Sequence, residues 1–100
     1  MSGVSYGRRV VGEIVWLAAT EISGVAALQG RKIKLRFTPT AINVDVFLTV
    51  LLGISASEVA FKVQENIKRT VESMTAYKVG TVNVNILGIV FKELQSSIQG

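Results

Sequence analysis

Seven carboxylates are the only side chains here with the usual equipment for acid and base chemistry: Glu13, Glu21, Asp45, Glu58, Glu65, Glu72 and Glu93. The chain has neither cysteine nor histidine, so thiol nucleophiles, thiolate and imidazole metal ligands, and the commonest general base are all excluded. Most of the glutamates are explained as solvated helix faces, and none stands beside a second group in a recognisable acid and base pair. Asp45, with Asn43, Asn83 and Asn85, is the one polar cluster to inspect, and a polar cross-strand ladder accounts for it more simply than catalysis does. The sequence therefore predicts no enzyme, no cofactor and no metal site.

The remaining charge is basic. Formal charge is +4, and the excess is local: Arg8 and Arg9 stand together, and Arg31, Lys32, Lys34 and Arg36 crowd one short run. Small basic proteins tend towards anionic partners, although short basic clusters also serve ordinary solubility.

The elements that position these groups are read from period. Val59, Val63, Ile67, Val71 and Met74 recur at spacings of four and three, which winds them into one apolar stripe of a long helix. Ser55 and Glu58 have the spacing of a capping box at its start. Glu58 to Lys62, Glu65 to Arg69 and Lys68 to Glu72 are four apart on the opposite, wet side. An earlier helix is predicted over Val10 to Ile22, with Val11, Ile14, Val15, Ala18 and Ile22 inward, Trp16 outward and Gly24 placed to stop it.

Three stretches alternate with a period of two. In KIKLRF, Ile33, Leu35 and Phe37 face the core while Lys32, Lys34 and Arg36 face out; Val25 to Leu28 begins an extended piece that Gln29-Gly30 is expected to interrupt. After a turn at Pro39, the run Ile42 to Leu52 puts its even-numbered residues inward and Asn43, Asp45, Phe47 and Leu51 outward. In the last strand Val82, Val84 and Ile86 oppose Thr81, Asn83 and Asn85, and the alternation falters at Gly88, where a bulge is expected and Leu87, Ile89 and Phe91 are predicted to continue on the polar side.

The order helix, strand, strand, helix, strand predicts a two-layer α+β domain: a three-stranded mixed sheet with two helices on one face, the last strand parallel to one of the first two. One hundred residues, 49% of them hydrophobic, and a mean hydropathy of +0.45 suffice for one core. The domain is placed at residues 8–91, with 1–7 and 92–100 as flexible tails, although Leu94 and Ile98 have the spacing of one docked turn. The apolar window Val46 to Ile54 is far shorter than the roughly 20 residues that cross a bilayer, and no signal peptide is apparent, so the expected location is cytoplasmic with no direct membrane insertion.

VQENIKRTVESMTAYKVGTVNVNILGIVF, residues 63–91, resembles the C-terminal signature of the alkaline shock protein family, also called the envelope stress response family, widespread in Gram-positive bacteria. The matching pieces are the Val-Gln-Glu-Asn helix at Val63 to Asn66, the Val-Glu-x-Met-Thr ending at Val71 to Thr75, the Val-Asn-Val strand at Val82 to Val84, and the Gly-Ile-x-Phe close at Gly88 to Phe91. Upstream, ATEISGV at residues 19–25 is similar to the family's helix end and turn. Many members have Gly where this chain has Ala76, so the end of the long helix is expected to be capped differently. The resemblance implies a non-enzymatic cytoplasmic protein, prone to self-association and held at the inner side of the envelope through a membrane-anchored partner.

Two functional readings follow. In the first, the chain is an interaction or scaffold protein, a homo-oligomer or a module docking on a membrane-anchored protein, whose surface comprises Lys32, Lys34, Arg36, Phe47, Leu51, Asn83 and Asn85 on the helix-free sheet face, with outward Trp16 and Phe61. In the second and weaker, the same face is a nucleic-acid platform on which bases stack on Phe47 beside Lys32, Lys34 and Arg36. The order of elements resembles one form of the KH arrangement, but the Gly-x-x-Gly loop that clamps a nucleic-acid backbone is missing between the helices.

Overall fold

The computed structural model describes residues 6–91, the side chains of 28–32 excepted. The proposed tails at 1–5 and 92–100, the turn at Leu94 and Ile98, and the side chains of Arg31 and Lys32 lie outside the described residues. The elements are α1 (Arg8–Thr20), β1 (Val25–Phe37), β2 (Ile42–Leu51), α2 (Ala56–Met74) and β3 (Val79–Val90).

α2 forms where its period puts it. Ser55 is the N-cap and its hydroxyl accepts the Glu58 N–H at 3.3 Å. Val59, Val63, Ile67 and Val71 are buried, each contributing about 1.5–3 kcal/mol of apolar burial. Met74, expected to finish the stripe, is instead 53% exposed, because the helix ends on it and the chain turns away. Thr75 closes that end: its hydroxyl donates to the Val71 carbonyl (2.7 Å) and accepts the Tyr77 N–H (3.0 Å). Its backbone is extended, and among the described residues only glycines have positive φ, so the helix ends without the left-handed residue that Gly in place of Ala76 would offer.

α1 starts and stops two residues earlier than its period predicts, and Gly24 serves the entry to β1 rather than the helix end. Its φ of +100° is one constraint, and space is the other: a Cβ there would lie 2.7 Å from Val59 Cγ2 and 2.9 Å from Ile54 Cγ2. Tyr6 and Gly7, assigned above to the lead-in, join the fold, since Tyr77 Oη donates to the Tyr6 carbonyl (2.9 Å) and Gly7 is the N-cap of α1.

β1 runs through Gln29-Gly30 without a break, against the expected interruption. The local irregularity survives as a register shift: β1 takes the steps from Leu28 to Ile33 while β2 moves only from Leu48 to Val46. The Thr38–Ala41 turn, held by Thr38 N to Ala41 O (2.8 Å) and Ala41 N to Thr38 Oγ1 (2.9 Å), then reverses the chain into β2. β2 pairs antiparallel with β1 and parallel with β3, in the order β1-β2-β3.

α1 packs on β1 and α2 on β3, and the helices pack on each other. Ile42, Val44, Val46, Leu48 and Val50 meet both helices in one core, so both cover the same face of a three-stranded mixed sheet, as the sequence predicts. The bulge at Gly88 is also present, but with the opposite consequence for facing. Leu48 pairs with Ile86 and Thr49 with Gly88, which puts Ile89 opposite Val50 on the helical side and Val90 opposite Leu51 on the open side. Ile89 therefore leaves the polar face on which period alone put it; one extra residue reverses the phase of everything after it.

Candidate interaction surface

The open side of the sheet is built in rows. In one, Arg36 is paired with Asn43, whose Oδ1 accepts from the Thr81 N–H (2.9 Å) and hydroxyl (3.1 Å). In the next, Lys34, Asp45 and Asn83 stand side by side, and Asn83 Nδ2 donates to Asp45 Oδ1 at 2.8 Å. Phe47 pairs with Asn85, which donates to the Val46 carbonyl (3.2 Å), and the Lys34 ammonium lies 5.8 Å from the Phe47 ring centroid. Thr49 beside Gly88, and Leu51 beside Val90, complete the face at its apolar end.

Asp45 is held by an amide, with no second carboxylate in the row to share a proton. Among the described residues no group of three or more acidic side chains comes close enough to hold a metal ion. What the face offers is a half-buried aromatic ring and an aliphatic end, rimmed by cations along β1 and by amides along β3.

Six of the nine residues singled out from sequence, Lys34, Arg36, Phe47, Leu51, Asn83 and Asn85, share this face. Lys32 belongs to β1, with its side chain outside the described set. Trp16 and Phe61, 44% and 61% exposed, belong to the helical layer instead. Trp16 lines a groove of about 710 Å³ between α1 and β1, with Arg8, Arg9 and Glu13 along its rim, and Ile33 and Leu35 against it.

Sequence reading missed four polar side chains that clamp the layers. Gln64 Nε2 donates to the Val82 carbonyl (3.0 Å), joining α2 to β3. Asn66, buried, donates to the Ala18 carbonyl (2.7 Å) and to Glu21 Oε1 (2.9 Å), joining α2 to the end of α1. Thr75 closes α2 as described. Glu72, read as a wet partner of Lys68, also accepts the Val79 N–H at 2.8 Å. That hydrogen bond holds the Glu72 carboxyl below its ordinary range, against some desolvation and with help from Lys68 and Lys78. The available signal was position: Asn66 follows Val63 by three, at the margin of the apolar arc.

Helix, hairpin, helix and parallel strand in this arrangement define a known two-layer α+β domain. Two variants of MamM-CTD match it with TM-scores of 0.59 at 16% identity, over 82% of this chain and 98% of theirs. A nickel form of another MamM CTD variant matches with a TM-score of 0.57 at 16% identity, over 80% and 96%. At such identity the likeness is one of fold. Sequence carries the assignment further: residues 29–91 match the alkaline shock protein 23 family, described by a cell envelope-related function. The uncharacterized protein YqhY of Bacillus subtilis (strain 168) is 30% identical over 112 aligned positions, covering 96% of this chain and 83% of that protein. The chain belongs to the alkaline shock protein 23 family.

The structure explains why the signature at residues 63–91 holds together. Val63 and Val71 are core, Gln64 and Asn66 are clamps, Glu72 and Thr75 fix the turn into β3, and Gly88 sets the bulge. These positions are accounted for by architecture.

Proposed function

We propose that this chain is a non-enzymatic interaction module of the cell envelope, which self-associates and docks on a membrane-anchored protein at the inner face of the membrane. The docking surface is the helix-free side of the sheet. The observation that carries this reading is the placement of both helices on one side, which leaves Phe47, flanked by Lys34 and Asn85 and continued by Leu51, facing solvent. An aromatic ring on a rigid central strand, bordered by satisfied polar groups, has the make-up of an interface anchor. Lys34 and Arg36 suit a partner with acidic side chains opposite β1. Because Asp45 sits among these cations, the face lacks the unbroken positive track that a nucleic-acid backbone needs, and this favours a protein partner.

The test is Phe47→Glu. A charge at the centre of the patch is expected to weaken capture by envelope membranes carrying the partner by on the order of 30-fold, the scale of one lost hot-spot residue, with helical circular dichroism unchanged. Wild-type capture by the folded variant counts against the reading.

A further inference from the structure

Among the described residues the sheet has two edges without a neighbouring strand, and they are treated differently. β1 carries the devices that discourage strand pairing: outward Lys34 and Arg36, the register shift after Leu28, and Arg8, whose guanidinium donates to the Leu35 carbonyl while lying 4.9 Å from the Phe37 ring centroid. β3 shares only the irregularity, the bulge at Gly88, and has no outward charge. From Val79 to Phe91 the chain has no charged residue and no proline. Gln64 attends the first half through the Val82 carbonyl, and among the described residues no strand lies beyond β3. Leu87, Ile89 and Phe91, between 54% and 57% exposed, concentrate apolar surface at the untended end.

Backbone direction singles out the same place. The Val90 carbonyl accepts the Leu52 N–H (2.8 Å), so Val90 turns its polar groups towards β2. Neighbouring residues of a strand turn theirs to opposite edges, and Ile89 and Phe91 therefore aim donors and acceptors at the free edge.

We propose that two copies of this chain join by antiparallel pairing of β3 with β3 about Ile89, making one continuous six-stranded sheet. In that register Ile89 meets Ile89 of the second copy on the helical side, with Phe91 two residues on along the same side, so these exposed apolar side chains come together, while Leu87, before the bulge, stays on the open side. An antiparallel edge is self-complementary under a two-fold axis, and a strand without charge brings no like charges together in the pairing. This inference rests on the reading that the protein self-associates, and it assigns self-association to the edge, leaving the Phe47 face free for the membrane-anchored partner.

The full chain has no cysteine, so Ile89→Cys introduces a lone thiol per copy. A short bis-maleimide is expected to link Ile89→Cys into dimers and to leave Phe47→Cys monomeric. In sedimentation the wild type is expected to be a dimer, Ile89→Lys to dissociate at least ten times more readily with unchanged circular dichroism, and Phe47→Glu to remain dimeric. Ile89 is exposed, so neither substitution there hollows the core. A monomeric wild type, an Ile89→Lys protein that sediments as the wild type, or a thiol at 89 that does not cross-link overturns the proposal; the last two give the edge to residues 92–100 or to a different protein. Dimers lost in Phe47→Glu but kept in Ile89→Lys also overturn it and return self-association to the open face.

Discussion

Asn66 shows how one polar side chain can hold two helices. The last carbonyls of a helix have no partner within it, and at the end of α1 two of them are met by the chain itself: Glu21 N donates to the Leu17 carbonyl and Ile22 N to that of Ala19. The Ala18 carbonyl, between them, receives Asn66 Nδ2 from α2. The same amide nitrogen reaches Glu21, and its oxygen accepts from Arg69 Nη2 at 3.2 Å, so no polar atom of the buried side chain is wasted. Asn66→Ala strips the partner from the Ala18 carbonyl, and the expected loss is about 1–3 kcal/mol. In a domain of this size each kcal/mol lowers Tm by roughly 4–8 °C. Urea unfolding of the variant measures the loss, and a change below about 0.5 kcal/mol would make the clamp incidental. From sequence the residue is marked only by its place three after Val63, at the margin of the stripe, and by the family signature, because a lone asparagine has no period of its own.

At the scale of elements, Glu72 joins the end of α2 to the start of β3. Its carboxyl is held below its ordinary range chiefly by the Val79 N–H, so the folded state favours the ionised form. A depressed folded pKa contributes stability that is complete above the unfolded value, about 4.3, and is lost as pH falls towards the folded one. Thermal unfolding should accordingly show wild type above Glu72→Gln at neutral pH and the two curves converging below about pH 4. A gap that stays constant through that window would refute the linkage. The elements themselves were legible wherever a period ran unbroken: the buried face of α2 and the alternation of β2 came directly from apolar spacing, whereas spacing leaves open which of the first two strands takes β3, and the structure gives it to β2. Period failed where a single residue changed phase or a local break signal lost to pairing. Gln29-Gly30 reads as an interruption, yet β1 runs on through it and resumes its pairing with β2 at Ile33. Gly88 was recognisable as a bulge, but the side to which Ile89 turns follows from the register with β2, a non-local fact. Of the candidate surface, the six residues on the sheet followed from alternation, whereas the groove beside Trp16 needs α1 set against β1 and has no signal in either segment alone.

At the scale of the molecule, two layers have three surfaces to dispose of, and only one of them is consumed by folding. The apolar faces of α1 and α2 are spent on the sheet, and among the described residues no helix is long and apolar enough to cross a membrane. A helix that has buried its apolar face in the protein cannot also lay it into lipid without unfolding the layer. On the proposed reading this member of a family with a cell envelope-related function reaches the membrane through another protein, and charge adds a direct attraction to lipid. The net charge of +4 supplies such an attraction, and it is screened over about 8 Å at physiological ionic strength. Flotation with bare vesicles containing anionic lipid should therefore show binding at low salt that disappears near 0.15 M, roughly the physiological value, while vesicles carrying the membrane-anchored partner retain the protein through the same change. Retention by bare vesicles in high salt would mean that apolar surface enters lipid directly, and the patch around Phe47 would then be a membrane contact in place of a protein one.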